Sequence, residues 1–250
     1  MLSPRFWLAP VALFALQASP VSFSTDSAGR IRLSFGGGLG SYEERITSCS
    51  GELLDSRDVP FQQVGGQADV WASTKVRITG YGGAMFAGSD SNVLSDFSAP
   101  YEGGYGGLLV AGEWRVVGVG AGVGVLPAMD AYDDSPYVLP TAYLRLGNLE
   151  EVHFRLDLGG PPGAGAPPHL GRIGVGFGQG HERRTGGFLG MGISPFPRDE
   201  YSLGLVGDVL VPVSKTLDLG GTGALRSGTE GGLGYNIGLM LRMHLGGPPR

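Results

Sequence analysis

Eight ionisable side chains, Arg77, Arg145, His153, Arg155, Asp157, Asp208, Arg242 and His244, each sit between apolar or glycine neighbours. On a β-strand successive side chains point to opposite faces, so each of these groups falls on a polar face backed by an aliphatic one. Guanidinium and carboxylate groups gathered on one face do one of two things. They pair with one another and fill an interior, or they line an aqueous path and set its charge preference, arginines favouring anions.

Nucleophilic and metal-assisted chemistry needs other arrangements, and the sequence lacks them. The four histidines, His153, His169, His181 and His244, form no His-x-x-x-His pair, and His181-Glu182 continues Arg183-Arg184-Thr185 rather than completing His-Glu-x-x-His. No Gly-x-Ser-x-Gly elbow occurs. An outer-membrane lipid-modifying enzyme needs Ser and His on its outer rim, whereas His153 and His244 lie on the inward, polar parity. A glycine-rich phosphate loop needs a strand-to-helix step, and no capped amphipathic helix is present. The acids Glu43, Glu44, Glu52, Asp55, Asp58, Asp90, Asp96, Glu102, Asp130, Asp133 and Asp134 gather between strand-like stretches. They lack the Asp-x-Asp-x-Asp-Gly spacing of a calcium loop and read as solvated surface charge. The expectation is a non-enzymatic protein with no catalytic residue, metal or cofactor.

The elements that position the ionisable groups are strands. In Tyr235-Asn-Ile-Gly-Leu-Met-Leu-Arg-Met-His-Leu245, Ile237, Leu239, Leu241, Met243 and Leu245 share one parity, and Asn236, Gly238, Met240, Arg242 and His244 the other. The same period of two recurs at about 30–42, 61–72, 76–87, 138–146, 152–158, 172–178, 186–193, 202–211 and 217–226. Stretches 105–113 and 115–126 are apolar or glycine on both parities, and their registers are not readable. This makes about twelve strands, within a range of ten to twelve. Composition agrees: 47 of 250 residues are glycine and only 16% are charged, against roughly 7% and 25% in soluble chains. These glycines have no collagen period and stand among Val, Leu and Ile, which a disordered linker would lack.

Residues 1–18 read as a secretory signal peptide: Arg5, then an apolar run from Phe6 to Leu16, then small Ala18 and Ser19. The run contains Pro10 and is shorter than the roughly 20 residues of a spanning helix. A short segment, 19–29, precedes a barrel domain over 30–245, and 246–250 form a tail. Without the signal, 17 basic residues face 23 acidic ones, a balance of −6 that excludes nucleic acid as a partner. Cys49 is the lone cysteine, so no intrachain disulfide forms.

The connections alternate in length. Long links are predicted at 43–60, 88–104, 127–137, 159–171 and 194–201, and short ones at 73–75, 113–115, 147–151, 179–185 and 212–216. Alternation of this kind belongs to an up-and-down barrel with long outer loops and short periplasmic turns. A secreted or periplasmic β-sandwich binding protein, the alternative reading, has no reason to show it. Phe86, Tyr201 and Tyr235 fall on the aliphatic parity near loop ends, where an aromatic girdle belongs; Tyr42, Phe61 and Tyr137 fall on the other parity.

On this alternation and these loop lengths the chain resembles the outer-membrane β-barrel superfamily of porin-like and general surface barrel proteins. The resemblance spans nearly all of the chain after the signal. It implies an all-β, closed antiparallel transmembrane barrel in a bacterial outer membrane, embedded in lipid and inserted by the barrel-assembly machinery. It further implies a structural surface barrel or a narrow passive pore for small solutes, anionic ones if the arginines line it. Such proteins often end on an aromatic residue, and this chain ends Leu245-Gly-Gly-Pro-Pro-Arg250. With Cys49 in an outer loop, a membrane-impermeant maleimide labels that thiol on intact cells; labelling only after the outer membrane is permeabilised would reverse the orientation.

Overall fold

The structure, a computed structural model, describes residues 30–48, 50, 52–87, 102–126, 136–149, 151–159, 169–178, 185–194, 202–228 and 232–246. Cys49, Tyr201, His181 and the acids Asp90, Asp96, Asp130, Asp133 and Asp134 lie outside these residues, as does the proposed signal peptide. Twelve strands follow in order: β1 (Arg30–Thr47), β2 (Leu53–Trp71), β3 (Val76–Ala87), β4 (Glu102–Glu113), β5 (Val117–Leu126) and β6 (Tyr137–Gly147) form the first half. The second half is β7 (His153–Leu158), β8 (Gly171–Phe177), β9 (Gly186–Ser194), β10 (Ser202–Pro212), β11 (Leu217–Gly228) and β12 (Leu233–Leu245). Each strand pairs antiparallel with its neighbours in sequence, and β1 pairs with β12 to close the barrel.

The registers fix its stagger. Ile31 faces Val70, which faces Ile78, then Val110, Ala121 and Ala142 in turn. The path continues through Leu158, Gly171, Ile193, Leu203, Ser227 and Leu233. The β12–β1 pairing, which sets Gly234 against Tyr42, then places Leu233 beside Glu43, twelve residues beyond the start (43 − 31). A stagger equal to the strand number tilts the strands by roughly 35–40°. Being even, it returns an outward residue to an outward residue.

Faces follow. On β12, Leu239 is 72% exposed while its neighbour Met240 is 3%. Leu203, Leu205, Val209 and Val211 point outward from β10, and Ile173, Val175 and Phe177 from β8. The inward parity of β5, unreadable in sequence, consists of Gly118, Gly120, Gly122, Gly124 and Leu126. On β4 it is Tyr105, Gly107, Leu109, Ala111 and Glu113, all buried except the glycine.

One sequence expectation changes, and the aromatic parities hold. The predicted loop 43–60 is mostly strand: β1 runs to Thr47 and β2 starts at Leu53, so a two-stranded hairpin extends past the barrel wall. Tyr42 and Phe61 face inward with no bulge to turn them, since the β1–β2 register breaks only between Ile46 and Thr47. Their rings lie 6.4 Å apart and pack with Val59 and Met85, filling the loop-end interior. Tyr137 starts β6 at 37% exposure, whereas Tyr235 is 57% exposed on the outer face.

Inward glycines serve as seats for side chains that cross the wall. Tyr81 on β3 reaches over β4 and β5 and donates its hydroxyl to the Gly159 carbonyl at 3.0 Å. A Cβ at Gly107 would overlap that ring, and one at Gly124 would stand 2.6 Å from its hydroxyl. Gly159 itself has φ +56°, a conformation glycine adopts without penalty. At the opposite rim, Ser73 Oγ accepts from the backbone N–H groups of Lys75 (3.2 Å) and Val76 (3.1 Å), closing the short β2–β3 turn. The expected cost of Gly124→Ala is about 1–3 kcal/mol of stability, through displacement of Tyr81. Tyr81→Phe loses one hydrogen bond, worth about 1 kcal/mol. Urea unfolding of the refolded barrel measures both, and Gly124→Ala is the more damaging.

Candidate functional site

The polar residues of the inward parity cluster toward the short-turn end of the barrel, and most of them meet. Asp69 on β2 is fully buried and accepts from Arg32 Nε at 3.0 Å, Thr79 Oγ1 at 2.6 Å and Arg77 at 3.2 Å. Arg77 on β3 turns its other nitrogen to Glu113 Oε1 at 3.0 Å. Glu113 Oε2 in turn accepts from Arg145 on β6, at 3.1 and 3.3 Å. Arg145 also donates to the carbonyls of Trp114, at 2.6 Å, and Gly147.

The bridge from Glu113 to Arg145 leaps over β5. It passes at Gly118, where any Cβ would overlap Glu113 Oε2 and stand 3.2 Å from Arg145 Nε. The absence of a side chain on β5 is what lets β4 and β6 join. From β6 the belt continues through Tyr143, whose ring carries the Arg77 guanidinium at 5.2 Å and that of Arg155 at 5.3 Å. Arg155 and Arg172 converge on buried Asp157, at 2.8 and 2.7 Å, and Arg172 lies 4.8 Å over the Phe188 ring on β9. On the far side, His244 meets Asp218 and Arg242 donates to Ser34 Oγ at 3.1 Å.

The structure thus brings Arg77 and Arg145 together through Glu113, and Arg155 and Asp157 together with Arg172. It puts His244 with Asp218, a residue outside the eight picked from sequence, and Arg242 with Ser34. His153 is 2% exposed at the short-turn rim, its Nδ1 3.3 Å from the Glu151 carbonyl, and it joins no ion pair among the described residues. Asp208 makes no hydrogen bond or ion pair with any described residue. Arg32, Asp69, Glu113, Arg172, Asp218 and Arg226 were absent from that set. Arg172 and Asp218 carried the same signal, a charge between aliphatic or glycine neighbours, whereas Glu113 sat in a strand without readable parity.

Arg32, Arg77, Arg155, Arg172 and Arg242, with Glu113 and Asp208, line a chamber where the space free of atoms, open solvent included, is about 570 Å³. Counting the side chains that are buried or line it, seven arginines (32, 77, 145, 155, 172, 226 and 242) face five carboxylates (69, 113, 157, 208 and 218). Among the described residues this leaves an excess of two positive charges inside a chain of net charge −5.

No protein-family model matches the sequence, and no curated protein matches it. Among solved structures, an outer membrane channel from Pseudomonas putida superposes with a TM-score of 0.52 at 11% identity, covering 92% of this chain and 100% of its own. The outer membrane protease OmpT from Escherichia coli gives 0.41 at 11% identity, over 91% and 99%. The outer membrane channel DcaP of Acinetobacter baumannii gives 0.33 at 9%, over 90% and 100%. The architecture is that of outer-membrane β-barrel proteins: a closed, antiparallel, up-and-down barrel of twelve strands.

Removing one member of the belt leaves buried charge uncompensated. Glu113→Gln strips Arg77 and Arg145 of their shared carboxylate and is expected to cost about 3–5 kcal/mol. Lys75→Ala, in an exposed turn, is expected to stay within about 0.5 kcal/mol. The comparison is read from urea midpoints, or from the temperature at which the folded band converts in SDS.

Proposed function

We propose that this chain is an exported, non-enzymatic barrel of the bacterial outer membrane whose lumen is a narrow passive path favouring small anions. The outward parity supports the membrane: aliphatic side chains such as Leu189, Ile237 and Leu239 stand more than 60% exposed on a surface that only lipid covers favourably. Its partners are then outer-membrane lipid and the machinery that inserts barrels. The long connections face outward, the short turns and both strand termini face the periplasm.

One observation carries the pore reading, the cationic chamber. A barrel of eight strands is just filled by its own side chains, and one of 16–18 leaves a wide channel. Twelve strands lie between, and here the space that remains is walled by five arginines against two carboxylates, Glu113 and Asp208. A ring of guanidinium groups lowers the barrier for anions and raises it for cations. The ion pairs argue for a non-enzymatic role, because the ionisable groups with chemical potential, Glu113 and Asp157 above all, are engaged in holding neighbouring strands.

Planar-bilayer recording on the purified, refolded protein tests the proposal. Discrete, small conductance steps with anion preference are expected. Arg155→Ala and Arg242→Ala, which empty chamber-lining positions, are expected to reduce that preference. A folded, heat-modifiable protein silent in the bilayer would overturn the pore and leave a structural surface barrel braced by its ion pairs. Extraction of the native protein from membranes by alkaline carbonate would overturn the membrane location itself.

A further inference from the structure

A second cavity lies against the wall formed by β8 to β12, and His169, Arg172, Asp208, Arg226 and Asn236 are among its lining residues. One row of the barrel crosses it. Arg172 on β8 faces Gly192 on β9, which faces Gly204 on β10, which faces Arg226 on β11. The two middle positions carry no side chain, so the row is a notch with an arginine at each end. Asn236 on β12 pairs with Ala224 and so stands diagonal to Arg226 on the same inward parity. His169 comes from the link just before β8, beside Leu170, whose backbone N–H donates to the Ile193 carbonyl at 2.8 Å.

These charges differ in what meets them. Arg172 is held by Asp157 at 2.7 Å. Asp208 lies in the field of Arg172, Arg155 and Arg242, which offset its charge. Arg226 is 9% exposed, its Nε has no hydrogen-bond partner, and no carboxylate among the described residues pairs with it. Nε2 of His169, a residue 6% exposed, is also unpartnered, and the charge of Arg226 acts on that ring. A buried guanidinium without an opposite charge is costly. Water satisfies its N–H groups without offsetting the charge, whereas an anion does both. Size narrows the choice of anion. The space open to a water-sized sphere is about 30 Å³, room for about two such spheres by volume. A monatomic anion fits, with a water beside it for the unpartnered Oδ1 of Asn236; a phosphate does not.

We propose that this notch is a binding site for a single halide ion, chloride, which accepts from Nε of Arg226 and from the Nε2–H tautomer of His169. The site shares Arg172 and Asp208 with the arginine-lined chamber, so it lies beside the proposed anion path. Its use as a resting place for a permeating ion rests on that path. Asp208, at the edge of both spaces, repels a second anion and limits occupancy to one. The ion can be supplied during refolding, so binding is read in detergent whether or not the barrel conducts.

Chloride NMR linewidths, measured on the full chain refolded in zwitterionic micelles, decide it. Saturable broadening that bromide reverses and phosphate does not is expected. Arg226→Gln weakens binding about tenfold or more, through loss of a charged hydrogen bond. His169→Phe removes the second donor, weakens binding about threefold or more, and carries the test if Arg226→Gln fails to show a heat-modifiable folded band. Lys75→Ala leaves it unchanged. Absence of saturable broadening in the folded barrel would overturn the site in favour of a cavity held by water. Phosphate competing as well as bromide would overturn it in favour of a diffuse cationic lumen, as would wild-type affinity in both folded variants. Saturable binding by a barrel silent in the bilayer would support the site and remove only the path beside it.

Discussion

Everything in this molecule depends on a closed ladder. Once β1 pairs with β12, every strand has a neighbour on both sides and each residue is committed to one face. An even stagger lets the aliphatic parity of all twelve strands stay outside. The price of closure is an interior that receives whatever the other parity carries, and here it carries arginines and acids. Their mutual engagement, rather than an apolar core, holds the short-turn half; aromatic and aliphatic side chains hold the loop half around Tyr42, Phe61 and Met85.

Glycine makes the two interiors possible. A side chain at Gly118 would sever the bridge between Glu113 and Arg145, and one at Gly107 would displace Tyr81. The strand with the least side-chain information, β5, is thus the one over which its neighbours reach. Bare positions on one strand and long side chains on the next are a single arrangement, and neither is explained without the other.

Much of the fold was legible because lipid-facing and lumen-facing environments differ so sharply that period two survives in nearly every strand. Ile237 to Leu245 could be assigned to faces by inspection, and so could Val152 to Leu158. The fourth and fifth strands could not, since Leu109 and Ala111 face inward opposite Leu108 and Val110, and glycine marks neither face. The hairpin beyond Tyr42 was read as loop because Glu43, Glu44, Asp55 and Asp58 look like solvated surface; a ribbon outside the wall is solvated on both faces and keeps no alternation. Site partners were harder still. Parity places Arg77 and Arg242 inside, but which carboxylate each meets depends on side-chain reach across three strands, as with Glu113, and on register, as with Asp69.

That hairpin has one more consequence. Pairing of β1 with β12 ends at Tyr42 and Gly234, and pairing of β2 with β3 ends at Phe61 and Ala87. Beyond those points each strand runs on with one edge that no described strand pairs, and such an edge is a template for a foreign strand to add to. Leu53 and Leu54 at its tip are more than half exposed and would reward such an addition. The residues between counter it: Glu43 and Arg45 clasp each other at 3.0 Å along one edge, and Asp58 with Pro60 interrupts the other. A charge pair held on one edge and a proline without an N–H on the other disfavour the addition of a strand to this crown.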